Sequence, residues 1–379
     1  MRPLPKYPPY RIARPPDVKR WLSVGALLVL LCAGGGALLH SAGSRVGLMI
    51  KGMAGAAVLL GVLWLMRLLY YRVSAHNARY YAQLVEQQQQ AWWEQHQRRF
   101  ALSEMVLLGP AGTDAPHWLR LLQREHRVPE IKNESSGKAL RIGRTLVDSV
   151  AERETLLAKM LVLQWQTQNA NSPLPHIRRC YWLGSLVAWR AFCAQMQLSF
   201  VDAALPEKPE KWQGEETLSV LAAVAQTLPE TEAILVAGCH SMTASFNSEQ
   251  PAGESAALCL VAHKGLVSLT RGEVYDPTGK EVLTAVSERA EQQSEIEKAP
   301  DACMLFSQPT LPVLAQSGWN VTHHVQDLNW GNPGEMEMLI VLVLAALYAK
   351  QYQEPCGWIA KDPLHTLALG IIKPYGEGK

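Results

Sequence analysis

Two long apolar stretches open the hydrophobic pattern. Residues 21–40 (WLSVGALLVLLCAGGGALLH) carry no charge, over about the 20 residues that cross a bilayer as a helix. Residues 46–66 (VGLMIKGMAGAAVLLGVLWLM) carry one, Lys51, near their start, where a long side chain can snorkel to the interface. The turn at 41–45 is too short to cross anything, so the pattern predicts a helical hairpin with both ends on one side. Residues 67–100 become polar and Gln-rich without Gly or Pro, which predicts a linker helix.

From residue 101 short apolar runs alternate with amphipathic stretches. Strands are predicted at 104–108 (EMVLL), 198–202, 233–237 (AILVA), 256–262 (AALCLVA), 266–275, 302–307, 320–325, 358–361 and 367–372. Helices are predicted at 117–126, in the second part of 139–168, and at 180–196, 216–228, 281–297, 311–317 and 335–351. Continuous apolar runs of this length mark strands covered on both faces. The last helix has too short an uncharged run after Glu337 for a third span, and two strands follow it. It therefore reads as a helix inside an α/β domain.

Charge sets the orientation of the hairpin. Residues 1–72 carry ten Lys/Arg against one acid, Asp17, whereas residues 73–379 carry 26 against 33. Arg2, Lys6, Arg11, Arg14, Lys19 and Arg20 precede the first span, Arg67, Arg72 and Arg79 follow the second, and the turn holds only Arg45. By the positive-inside rule both termini face the cytoplasm. The long Pro-rich leader (1–20) and the immediate second span favour a retained anchor over a cleaved signal peptide. The acidic remainder has no basic stripe, which excludes a nucleic-acid binder.

Candidate chemistry is sparse. Seven cysteines (Cys32, Cys180, Cys193, Cys239, Cys259, Cys303, Cys356) are scattered without a CxxC or ligand spacing, as expected for small core residues in a reducing compartment. No metal site is expected, and none of GxGxxG, Walker, HExxH or GxSxG occurs, so no cofactor is expected. Cys239-His240 follows a strand directly, and His323-His324 lies in another.

Two segments carry a resemblance. Residues 216–262 have a helix, a strand ending in VAG, a loop, and then Pro251-Ala252-Gly253-Glu254-Ser255-Ala256-Ala257 running into a strand. Asn329-Trp330-Gly331-Asn332-Pro333-Gly334-Glu335 precedes an apolar helix and two strands. Over about residues 213–374 the chain resembles ketosynthases of the thiolase superfamily. The resemblance implies an α/β thiolase-like body of five layers and two halves, 101–264 and 265–379, after the transmembrane hairpin. It also implies a Cys nucleophile at a helix N-terminus, where its pKa is lowered. That place here is Trp212-Gln213-Gly214-Glu215-Glu216. The first histidine's place holds Ser307, Gln308 and Pro309; the second falls at Asn332, and a resembling subfamily uses Asn there.

Without nucleophile and first histidine, the resemblance implies a chain with no catalytic residue. The N-terminal membrane segment and Trp-rich soluble region are similar to the lipase-adaptor family of bacterial type VI secretion. That implies a non-catalytic adaptor at the cytoplasmic face of a bacterial inner membrane, which binds a lipase effector and recruits it to the secretion spike. The alternatives are a membrane-tethered ketosynthase-like acyl-transfer enzyme with a relocated nucleophile, Cys239 beside His324 and Asn332, and a scaffold protein of an envelope complex.

Overall fold

The computed structural model of the protein describes residues 5–38, 45–143, 147, 149–169, 173–200, 203–279 and 281–376. It divides into two units, Arg2–Trp93 and Glu94–Lys379.

In the first unit, α1 (Val18–Leu38) lies beside α2 (Arg45–His96), with Leu60 3.6 Å from where a Cβ on Gly25 would sit. The Pro-rich leader runs along α2: Ala13 donates its N–H to Ser74 Oγ at 3.0 Å, and Tyr81 its hydroxyl to the Pro8 carbonyl at 2.9 Å. The expected break between a span ending at 66 and a separate linker helix does not exist. Residues 62–96 contain neither Gly nor Pro, so the i→i−4 ladder continues where the composition changes from apolar to polar. Among the described residues one helical stretch, Ile50–His96, is long and apolar enough to cross a membrane. A two-span hairpin is not shown, and its turn at 41–44 lies outside the described residues.

The second unit is mixed α/β. Its elements run β1 (Arg99–Leu108), α3 (Ala115–Leu122), β2 (Lys132–Glu134), β3 (Gly137–Ala139), α4 (Val150–Gln168), β4 (His176–Leu183), α5 (Leu186–Ser199), β5 (Glu210–Lys211), α6 (Glu215–Ala225), β6 (Glu232–Ser241) and β7 (Glu254–Ala262). Then come β8 (Val267–Thr270), β9 (Glu273–Tyr275), α7 (Leu283–Ser294), β10 (Ala302–Leu305), β11 (His324–Val325), α8 (Asp327–Trp330), α9 (Glu337–Tyr352), β12 (Cys356–Lys361) and β13 (Leu367–Pro374). The strand order is β5-β4-β6-β7-β1-β8-β13-β12-β10-β11, with β9 on β13. Read outward from the antiparallel β1·β8 pair, the order repeats: β1-β7-β6-β4-β5 on one side, β8-β13-β12-β10-β11 on the other. In each half the second strand is antiparallel to both neighbours and the outer three are mutually parallel.

Side-chain alternation separates the cores. Along β7, Ala257, Cys259 and Val261 enter a core with α6 and α9, whereas Ala256, Leu258 and Leu260 enter another with α4 and α5. The inner faces of β10 and β12 (Met304, Trp358) meet α9 from the opposite side, and their outer faces (Leu305, Ile359) cover α7. The layers are thus helix, sheet, helix, sheet, helix. The period of two along a strand, with apolar neighbours on both faces, explains the uninterrupted apolar runs. Helix α9 is buried on nearly every side, as a helix apolar all round must be.

Several elements differ from the sequence reading. Residues 180–196 are not one helix: β4 ends at Leu183, Gly184 turns the chain at φ 135°, and Ser185 caps α5 by accepting the Ala188 N–H. α5 continues to Ser199, so no strand begins at 198; residues 201–202 lie outside the described set. The strand expected at 320–325 shrinks to His324–Val325, because the Asn320 side chain accepts the N–H groups of Thr322 and His323 and folds the chain into a turn. Residues 266–275 split into β8 and β9 at Gly272, φ 80°, where a Cβ would lie 2.7 Å from the Trp358 ring.

Candidate functional site

Both inner helices begin at one pocket. The chain enters α6 through Gly214, whose φ of 63° and ψ of −131° suit glycine;. A Cβ there would lie 2.2 Å from Asp362 Oδ1. This approach lets the Glu215 N–H at the start of α6 donate to Asp362 Oδ1 at 2.9 Å. Asp362 Oδ2 accepts the Leu364 and His365 N–H groups and the His365 ring Nδ1 at 2.9 Å. The positive end of α6 is therefore capped by a buried carboxylate from the β12–β13 turn. α9 follows a tight turn, Gly334–Met336, that starts with Gly334 at φ 58°.

Between these helix starts lies a pocket of about 370 Å³, lined among others by Trp212, Gln213, Gly334, Glu337, Lys361 and Asp362. A larger hollow of about 430 Å³ near Arg99 and Tyr375 has no carboxylate in its wall, so convergent chemistry rather than size selects the site. Glu337 is its central acid, with a side chain only 3% exposed. Its Oε1 accepts the Gln308 side-chain amide at 3.0 Å and the Lys361 N–H at 2.8 Å; its Oε2 lies 3.6 Å from Lys361 Nζ. Burial pushes the Glu337 carboxyl above the ordinary range, and the Lys361 N–H and ammonium pull it back only in part;. A buried carboxyl held by two donors at a pocket wall is suited to general acid–base work.

The structure thus brings three sequence positions together: Gln213 where the fold's nucleophile was expected, Gln308 where its first histidine was expected, and Glu337. Sequence reasoning missed Glu337, Lys361 and Asp362. The available signal was an acid heading a helix otherwise apolar all round, a placement that obliges burial of the charge or its neutralisation.

The relocated triad does not assemble. Cys239 is fully buried; its Sγ contacts the Glu154 carbonyl at 3.4 Å in the core beneath α4, and burial pushes the thiol pKa far up. A neutral, inaccessible thiol is no nucleophile. His324 sits on edge strand β11 against the Tyr348 ring; burial and Arg124 push its pKa down to about 4. Asn332 Oδ1 accepts the Gly334 N–H at 3.0 Å, and its backbone bridges Ala252. Each has its own partners, so this set is corrected. His240, next along β6, has its Nδ1 3.3 Å from Glu154 Oε1, and its ring rests against Gly334. Among the described residues no group of three or more His, Cys, Asp or Glu side chains is placed to hold a metal ion.

No protein-family model and no curated protein matches the chain. Among solved structures it is similar to the ishigamide ketosynthase/chain length factor, at 14% identity over 73% of this chain and 99% of that one, with a TM-score of 0.51. It is also similar to MvaS in complex with 3-hydroxy-3-methylglutaryl coenzyme A (11% identity, 74% and 84% covered, TM-score 0.42). A third is OleA of Xanthomonas campestris (11%, 73% and 97%, 0.41). The first of these establishes a thiolase-like fold. The fold does not carry the expectation of a non-enzyme: the first of these structures is a ketosynthase/chain length factor. Nothing in these comparisons supports the lipase-adaptor family of type VI secretion, its effector or its spike.

Proposed function

We propose that the protein is a membrane-tethered, ketosynthase-like acyl-transfer enzyme that moves an acyl group from a thioester directly to an acceptor, without a cysteine-bound intermediate. The observation that supports this reading is that Gln213 and Glu337 line one pocket between the starts of α6 and α9, with Gln308 hydrogen-bonded to Glu337. Glu337 takes the proton from the acceptor's hydroxyl or amine as that atom attacks the thioester carbonyl. The carbon–sulfur bond breaks, and the thiolate leaves to be protonated. The apolar part of α2, with α1 as a second span and the basic flanks of both, supports an anchor in a bacterial inner membrane, with residues 73–379 in the cytoplasm.

The test uses the full chain in detergent with butyryl-coenzyme A and a panel of small alcohols and amines, following free thiol. Thiol release should require an acceptor and show sequential rather than ping-pong kinetics. Glu337→Gln should lower kcat by about 10²–10⁴-fold, the usual worth of a positioned acid–base group. A wild-type chain that releases no thiol with any acceptor, or that accumulates an acyl-cysteine, would sink the reading.

A further inference from the structure

Arg271 stands between β8 and β9 with its side chain only 10% exposed. A guanidinium carries five N–H donors and stays charged. Among the described residues this one makes a single hydrogen bond: Nη1 donates to Ser219 Oγ at a long 3.4 Å, while Nε and Nη2 have no hydrogen-bond partner. The nearby carboxylates do not make up the difference. Glu215 Oε1 lies 4.0 Å from Nε, and burial pushes that carboxyl up to about 7, so near neutral pH it is only partly charged. Glu273 is held by Arg289 Nε at 2.7 Å and by the Gln293 amide. Burial accordingly pulls the Arg271 pKa down, and the two acids restore it only in part. A cation so buried and so weakly paired is costly to hold.

Arg271 and Ser219 line a pocket of about 230 Å³, together with Gln95 in the last turn of α2, Arg98 just after it, and Ala223 on α6. All of these residues belong to the second unit, and no carboxylate lines the pocket among the described residues. Glu215, Ser219 and Ala223 are spaced by four and share one face of α6, so the guanidinium that turns Nε toward Glu215 sets Nη1 beside Ser219. Nε and Nη2 are shut away from solvent, which leaves Nη1 as the nitrogen a ligand can reach. Ser219 Oγ accepts from Nη1, and its own proton stays free to donate;. Arg98 is exposed and has no ion-pair partner among the described residues. Two guanidinium groups, a hydroxyl and an amide with no acid among them suit an oxyanion. The volume is below the roughly 300–1,000 Å³ of pockets for drug-sized ligands, so the fit is to a small group.

We propose that this pocket binds a phosphate group between Arg98 and Arg271 Nη1, with the Ser219 hydroxyl donating to it. The ligand supplies the countercharge that Glu215 and Glu273 leave incomplete. The site shares no lining residue with the pocket at Glu337, and the inference does not depend on the acyl-transfer reading. The phosphate group has two sources, a free phosphate in solution or a lipid headgroup, and the same chemistry recognises both.

Isothermal titration of the full chain in detergent with inorganic phosphate, at neutral pH and constant ionic strength, tests the site. The wild type should show saturable one-to-one binding. Arg98→Gln should weaken it about tenfold, the worth of one hydrogen bond to a charged group. Ala223→Glu, which sets a carboxylate in the pocket wall, should weaken it by about tenfold or more. Both positions are exposed, and urea midpoints equal to the wild type without phosphate establish that the variants fold. Phosphate should raise the wild-type urea midpoint, because a ligand of the native state stabilises it, and should leave that of Ala223→Glu unmoved. The source is read in phosphatidylcholine nanodiscs with and without phosphatidic acid. An isotherm unchanged by phosphatidic acid assigns the site to soluble phosphate, and one that phosphatidic acid suppresses assigns it to a headgroup. A wild type without saturable phosphate binding in detergent, or binding that both variants leave within twofold, overturns the proposal.

Discussion

Glu215 is a buried acid whose removal should flatten the pH dependence of stability. Its side chain is 9% exposed at the start of α6, its Oε1 has no hydrogen-bond partner, and the Arg271 Nε lies 4.0 Å away. Burial pushes its pKa up to about 7, with Arg271 drawing it part of the way back. The folded carboxyl therefore holds its proton from pH 4.5, the unfolded value, to about pH 7, where the unfolded one has released it. The resulting stabilisation is fully present below pH 4.5 and is lost as pH rises through 7. At 1.36 kcal/mol per unit, the shift is worth about 3 kcal/mol, and between pH 5 and pH 8 the loss is about 2.5 kcal/mol. Glu215→Gln cannot titrate and should lack this component. Urea unfolding of the full chain in detergent, followed by the near-ultraviolet signal of its buried tryptophans, measures both proteins at each pH. Subtracting the two curves cancels Glu104, Glu273 and Glu337, whose pKa values burial also raises. Parallel wild-type and variant curves from pH 5 to pH 8 would refute the reasoning.

Three further outcomes follow from the same structure. Leu344→Ala empties a site at 0% exposure inside α9 and should cost about 2–5 kcal/mol in urea unfolding; a loss under 1 kcal/mol would mean that the central layer is loosely packed. Cys239→Ala should leave thiol release within twofold, and a thiol-reactive acyl probe should not label Cys239 in the folded chain; selective labelling would restore the cysteine chemistry. A reporter active only in the periplasm, fused after Lys379, should be silent, and activity there would reverse the proposed topology.

Strands covered on both faces were legible in the sequence, because two-sided burial writes itself as uninterrupted apolar letters. The runs at 256–262 and 367–372 became interior strands β7 and β13. Conformation was less legible where composition changed without it: the polar switch after Met66 looked like an element boundary, but α2 has no breaker there. The 320–325 run misled because one side chain, Asn320, offers the backbone a local hydrogen-bond partner that competes with strand pairing. In the site, the partners of the places named by resemblance could not be foreseen. Gln308 meets Glu337 across 29 residues, and His240 meets Glu154 across 86. Such contacts depend on how the two halves of the sheet stack on shared helices, which spacing in one chain does not encode. Cys239 and His240 are adjacent in sequence and both touch Glu154, the thiol its carbonyl and the ring its carboxylate.

The Asp362 cap on α6 bears on any attempt to install cysteine chemistry in this scaffold. A thiol placed at Gln213 or Gly214 would need the positive pole of α6 to ionise, and the chain's own carboxylate already occupies it. At Gly214 the new side chain would also strike Asp362 and Pro363. A thiolate beside that carboxylate would feel repulsion, so its pKa would rise rather than fall. Converting the protein to a covalent mechanism is therefore a coordinated replacement of two distant loops, with Asp362 neutralised before any nucleophile is added. A single-residue reversion would yield an inert thiol.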